Sequence, residues 1–208
     1  SGNIDHKGNV EIKGTVTGGF QVTATGDIAI SEGIEDGARI NGGGNLVVSQ
    51  GIFGQKTRVE VSGSVTAKFI QDATVLAKGD VEVGSYIHTA TLHSDGRVKV
   101  EGAGGSGGGI IGGETWALVG ATTKNLGSEG NTSTVISLGT PTDTYSDYVR
   151  ARAAVSRTDA QLRNLLEAIG IKSLKSDLIR QRIIETPIRK SEILHYVKKA
   201  NELAKGEE

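Results

Sequence analysis

The sequence predicts a right-handed, three-faced parallel β-helix with a C-terminal α-helical, coiled-coil-like extension. Two observations carry the solenoid: aliphatic residues recur every six positions through the first half of the chain, and every third hexad opens on a glycine. A third marks the extension, because 29 of the 31 glycines lie in residues 1–142 and only Gly170 and Gly206 lie beyond.

The hexad runs without interruption through Ile4, Val10, Val16, Val22, Ile28, Ile34, Ile40, Leu46 and Ile52. After small shifts it continues through Val59, Val65, Ile70, Val75, Val81, Ile87, Leu92 and Val98. Glycines 8, 26, 44, 63, 79 and 96 each stand two residues before an aliphatic member, so the full repeat is 16 to 19 residues in three short strands. Strand alternation points Val10 and Ile12 inward and Glu11 outward. Stacking then places Val10, Ile28, Leu46, Val65, Val81 and Val98 in one interior column. Glycine at each corner is expected for its access to positive φ. Six coils at about 4.8 Å per rung give a rod of roughly 30 Å.

An unbroken hexad also fits the left-handed acyltransferase helix, which wants a small residue four places after each aliphatic one. Phe20, Glu32, Gln50 and Lys56 occupy such places here, and parallel crossovers are overwhelmingly right-handed. The glycine-rich segment 102–114 interrupts the period. Trp116, Leu118, Val119, Val135, Ile136 and Leu138 then resume strand alternation, and Trp116 is expected to cap the last coil.

A helical region, 141–208, follows the solenoid domain, 1–140. Tyr148, Arg152, Val155, Asp159, Leu162, Leu166 and Ile169 keep the 4-3 spacing of a coiled-coil seam with two polar interruptions. Gly170 stops that helix. A second apolar run holds Leu178, Ile179, Ile183 and Ile184, Pro187 ends it or opens a third helix, and Ile193, Val197 and Ala200 line one face of the last. The absence of methionine predicts a processed chain or a fragment, with the helical hairpin cut short.

Composition narrows the function. A formal net charge of −1 supplies no basic field for nucleic acid or anionic lipid. Cysteine is absent, which removes disulfides and thiolate chemistry. No apolar stretch reaches the length of a membrane span, so no membrane insertion is expected.

Repeated Gly-Asp-Ile/Val units come first, followed by Ala67-Lys68-Phe69-Ile70-Gln71-Asp72-Ala73-Thr74-Val75. The glycine-rich Ile110-Ile111-Gly112-Gly113-Glu114, a closing strand and a helical hairpin complete an order of elements that resembles the bacterial flagellar assembly protein A (FapA) family. The glycine repeat alone also fits bactofilins, which polymerise. The FapA resemblance implies a cytoplasmic β-helix protein of flagellum assembly, without catalytic residues to carry over. The helical region departs from it, being too short for the family's long coiled coil.

Catalytic, cofactor and metal readings find little support in the residues. Asp27 and Asp80 occupy equivalent corners, but Asn45 and Ser64 intervene, so no acidic pair forms of the kind that a polysaccharide lyase or hydrolase needs. Asp, Asn and Ser there are expected to bond to corner backbone. His88 and His93 fall on different faces and, with His6 and His195, read as surface histidines. Gly102 to Gly107 satisfies GxGxxG, yet no helix is predicted after it and a nucleotide site fails on context.

One constellation remains, since Phe69 and Tyr86 each precede a core isoleucine and Phe53 follows one. Alternation turns all three outward as an aromatic strip, to be covered by the C-terminal helices or to dock another protein. The sequence therefore predicts a non-enzymatic scaffold without cofactor. Its expected partner is another cytoplasmic protein of regulatory, signalling or polar flagellar type, with a homo-oligomer possible. A polymer-forming cytoskeletal element is the alternative, ahead of a carbohydrate-active enzyme.

Overall fold

The structure is a computed structural model and describes residues 2–102, 108–130 and 132–205. It divides into two compact units, Ser1–Tyr145 and Ser146–Glu208.

The first unit is a parallel β-solenoid. Its strands are β1 (Ile4–His6), β2 (Val10–Ile12), β3 (Gln21–Ala24), β4 (Ile28–Ile30), β5 (Arg39–Gly42), β6 (Leu46–Phe53) and β7 (Arg58–Val61). They continue as β8 (Val65–Gln71), β9 (Thr74–Ala77), β10 (Val81–Ser94), β11 (Arg97–Val100), β12 (Ile110–Ala117), β13 (Gly120–Thr122) and β14 (Thr134–Leu138). Every ladder between them is parallel and joins a strand to its equivalent one coil away.

The register reproduces the hexad as three interior columns. On the first face Val10, Ile28, Leu46, Val65, Val81, Val98 and Ala121 stack in order. The second face stacks Val16, Ile34, Ile52, Ile70, Ile87, Ile110 and Leu126. Ile4, Val22, Ile40, Val59, Val75, Leu92, Thr115 and Ile136 form the third. From Ile28 to Val98 the column members are at most 1% exposed. At roughly 1.5–3 kcal/mol for each large apolar side chain enclosed, these columns are the main source of stability.

The first column has seven rungs where the sequence predicted six. The step from Val98 to Ile110 is twelve residues instead of six, which marks an insertion at one corner and not the end of the rod. Residues 103–107 of that insertion lie outside the described residues. Trp116 accordingly does not cap the end. It sits between the enclosed Thr115 and Ala117 on β12, with β14 pairing beyond it, so its side chain leaves the third face sideways.

The corner before the first face explains the recurring glycine, and not by backbone freedom. Asn9 Oδ1, Asp27 Oδ1, Asn45 Oδ1, Ser64 Oγ and Asp80 Oδ1 each accept from a backbone N–H one coil further on, of Asp27, Asn45, Ser64, Asp80 and Arg97, at 2.7–3.1 Å. A Cβ on Gly26, Gly44, Gly63, Gly79 or Gly96 would strike the accepting side-chain oxygen and the backbone of the coil before. None of these five has positive φ, whereas Gly8 at the first corner does, so the expectation of left-handed corners holds only there and is corrected for the rest: glycine serves the close approach of coils. Positive φ gathers instead between the second and third faces, at Gly19, Gly37, Gly54, Asp72, Thr89 and Gly112.

The side-chain ladder confirms the expected structural use of the corner Asp, Asn and Ser residues. Asn45→Ala, which orphans the Ser64 N–H, is expected to cost about 1 kcal/mol. Asp27→Asn keeps the accepting oxygen and is expected to be near neutral. Urea midpoints of the two variants check the contrast.

Helix α1 (Thr142–Ile169) begins in the first unit. Asp95 Oδ1 accepts from both the backbone N–H and the hydroxyl of Thr142, which satisfies an open donor at the start of the helix. Lys78 Nζ lies 3.1 Å from Asp143. The first turn of α1 therefore stays with the solenoid, and the units part after Tyr145 where the sequence placed the boundary at 140/141.

In the second unit α1 ends at Gly170, whose φ is +75°. The Ile171 N–H donates to the Leu166 carbonyl at 3.0 Å and the Gly170 N–H to the Glu167 carbonyl at 2.9 Å, a Schellman arrangement. Arg182 Nε also donates to the Ile169 carbonyl at 2.8 Å. Helix α2 (Ser176–Glu185) stops before Pro187, and a 3-10 turn (Pro187–Arg189) and α3 (Lys190–Lys205) follow. Ile169, Ile193 and Ala200 are buried. Of the seam predicted on α1, Leu162 and Leu166 are half-buried with Ile169 enclosed, while Tyr148 and Val155 are 50% and 61% exposed.

Candidate docking site

The second face positions the aromatic residues singled out in the sequence. Phe69 and Tyr86 are register partners on β8 and β10, each next to an enclosed column isoleucine, so both project outward. Their rings stack with centroids 5.2 Å apart and planes 16° from parallel, an arrangement worth roughly 0.5–1.5 kcal/mol beyond the area it covers. The Phe69 ring lies against Gly51, its register partner on β6, where a Cβ would enter the ring. Glycine at 51 is thus what lets the ring lie flat on the sheet. The Tyr86 hydroxyl donates to Gln71 Oε1 at 3.4 Å.

Phe53 stands apart from this pair. It is the register partner of Gln71, not of Phe69, which puts it in the other outward row of the same face, across the isoleucine column. It is 39% exposed, whereas Phe69 and Tyr86 are half-buried. The structure therefore stacks two of the three aromatics and sets the third on the opposite flank.

Other residues considered from sequence do not converge. Asp27 and Asp80 are tied into the corner ladder. His88 lies on the second face, in register with Gln71 and Ile111, and His93 on the third, in register with Leu76 and Trp116. Among the described residues no group of three or more His, Asp or Glu side chains could hold a metal ion. Strand β12 follows the glycine-rich insertion, so no helix opens there to receive a phosphate.

The surface reading of His93 is corrected, since the residue is 1% exposed. Its ring stacks on Tyr145 with centroids 3.2 Å apart and is flanked by Trp116 at 5.1 Å, itself 5.4 Å from Tyr145. Both imidazole nitrogens and Trp116 Nε1 are buried and have no hydrogen-bond partner among the described residues. Burial pushes the His93 imidazole down to about 4, with the Asp95 carboxylate pulling weakly the other way. The available signal was phase: His93 and Trp116 each follow a third-column residue, Leu92 or Thr115, and so share an outward row.

The fold and its sites define a class, a parallel β-solenoid protein whose corner carboxylates serve its own backbone and whose outer face carries a stacked aromatic pair. Over residues 1–206 the sequence matches the Flagellar Assembly Protein A beta solenoid domain, FapA. The chain belongs to the FapA family. No curated protein and no solved structure matches it. Among the described residues no helix is long and apolar enough to cross a membrane.

Proposed function

We propose that the chain is a non-enzymatic scaffold of bacterial flagellum assembly that binds a cytoplasmic protein partner through the Phe69–Tyr86 surface. The observation that carries this reading is the ring pair itself: two stacked aromatics lie on a rigid sheet, half exposed, with a polar handle at the Tyr86 hydroxyl. Aromatic anchors of low conformational entropy are what protein interfaces concentrate at their centres. The exposed Phe53 extends the same face beyond the isoleucine column. The FapA family supplies the flagellar context and supports a cytoplasmic location; the proposed place of action is the flagellar pole. Stacking of rods end to end into a polymer is the competing use of the fold.

The test replaces Phe69 and Tyr86 together by serine. The variant is expected to lose no more than about 2–4 kcal/mol of stability and to stay folded, since only the pair energy and partial burial are lost. It is expected to lose the protein that the parent captures from a lysate of a flagellated bacterium. Unchanged capture would remove the strip from the interface, and a large loss of stability would assign it to intramolecular packing. Concentration-dependent filaments of the parent in electron microscopy would favour the polymer.

A further inference from the structure

The third face carries an arrangement that partner docking leaves unexplained. Arg39 opens β5, Arg58 opens β7, and the two are register partners on adjacent parallel strands. Each precedes a fully enclosed column residue, Ile40 or Val59, so alternation turns both outward in one row, where both are exposed. Adjacent strands lie about 4.8 Å apart, and like charges directly opposite across a ladder are unfavourable. Among the described residues no ion pair within 4.0 Å involves either guanidinium. The nearest acid along the strand, Glu60, belongs to the neighbouring outward row, opposite Asn41.

The pair stands over a hollow. A surface recess of about 300 Å³ is lined by Gln21, Arg39, Asn41, Arg58 and Glu60. A second, of about 210 Å³, adjoins it and shares Gln21 and Arg39. The hollow arises because shorter side chains flank the arginines, Asn3 and Gln21 below them and Thr23 and Asn41 alongside. Gln21 is held in place, its backbone N–H donating to Asn3 Oδ1 at 2.9 Å and its Nε2 to Thr23 Oγ1 at 3.2 Å.

Two guanidinium forks side by side ask for more than one carboxylate, which brings a single charge and two oxygens and satisfies one fork. A phosphate monoester brings nearly two charges and three terminal oxygens, enough for both. We propose that Arg39 and Arg58 form a binding site for the dianion of a small phosphate monoester. Gln21 and Asn41 add neutral donors beside the phosphoryl group. Glu60 faces the organic part of the ester, where it accepts from a hydroxyl and repels a second anionic group. The recess volume sits at the lower end of small-molecule pockets, which fits a ligand of a few carbons.

The experiment follows backbone amide shifts of the full chain during titration with inorganic phosphate, glycerol 3-phosphate and acetate at constant ionic strength. Both phosphates are expected to give saturable shifts centred on Gln21, Arg39, Asn41 and Arg58, weaker at about pH 5 than at about pH 7.5 because the second phosphate proton is bound at the lower pH. Arg39→Gln and Arg58→Gln are each expected to weaken binding about ten-fold or more, equivalent to about 1.4 kcal/mol. Without ligand both variants are expected to melt no lower than the parent, because a like-charge contact is relieved. Arg58→Lys keeps the charge and loses the fork, and is expected to weaken binding in the same sense. Absence of saturation, an equal response to acetate, or variants that bind as the parent does would each overturn the site.

Discussion

Replacing Ile70 by alanine is expected to lower the free energy of unfolding by about 3 kcal/mol, within the 2–5 kcal/mol seen when a large aliphatic side chain is removed from a closed core. Ile70 stacks between Ile52 and Ile87, and all three are fully enclosed. No side chain can collapse into the vacated space without abandoning its own rung, because each column position is held by ladder hydrogen bonds on both sides. The same substitution at Ile4, on the first rung and 36% exposed, is expected to cost under about 1 kcal/mol. Urea unfolding followed by circular dichroism compares the two. Equal losses at both positions would mean that stability does not reside in the stacked columns.

The second large effect is a loss of stability in acid that centres on His93. Its imidazole ordinarily titrates near 6.5 and is pushed down to about 4 in the folded chain. Between those values the unfolded chain binds a proton that the folded chain refuses, so stability is complete above about pH 6.5 and falls as the pH drops towards 4. The full shift, in which the Asp95 carboxylate already offsets part of the burial effect, corresponds to roughly 3 kcal/mol as an upper value. Trp116 is the chain's one tryptophan and touches His93, so its fluorescence reads the site directly. Urea unfolding at about pH 7 and about pH 4.5 is expected to separate the parent by about 2 kcal/mol, and to separate His93→Phe, which keeps a stacking ring, by much less. A parent more stable at the lower pH would reverse the sign and refute the account of this cluster.

Much of the solenoid was legible because its rule is local. An inward residue in a short strand must be apolar and its neighbours need not be, so the columns through Val10, Val16 and Ile4 could be written from the hexad alone. What escaped depended on residues a coil or more away. The reason for Gly44 lies in the Asp27 side chain of the coil before, which no local rule contains. The seventh rung was hidden by the insertion after Val100, which breaks the phase that reveals the others. His93 reads as a surface residue until Tyr145, from the first turn of α1, closes over it. In the candidate site, alternation was enough to turn Phe69 and Tyr86 outward. The same phase separates Phe53 from them, since it follows Ile52 where Phe69 and Tyr86 precede Ile70 and Ile87, so one continuous strip of three was never available.

Spin labels on the first face test the stacked-coil account most directly. The chain has no cysteine, so paired substitutions label cleanly. Glu11, Ala29, Val47, Thr66, Glu82 and Lys99 occupy one outward row on successive rungs. Labels at Glu11 and Lys99 are five rungs apart and are expected at about 24 Å, with Glu11 and Thr66 at about 14 Å, set by a spacing of about 4.8 Å per rung. Distances that rise linearly with rung number would bear out the in-register solenoid on which every site described here depends. Distances that ignore rung number would contradict it.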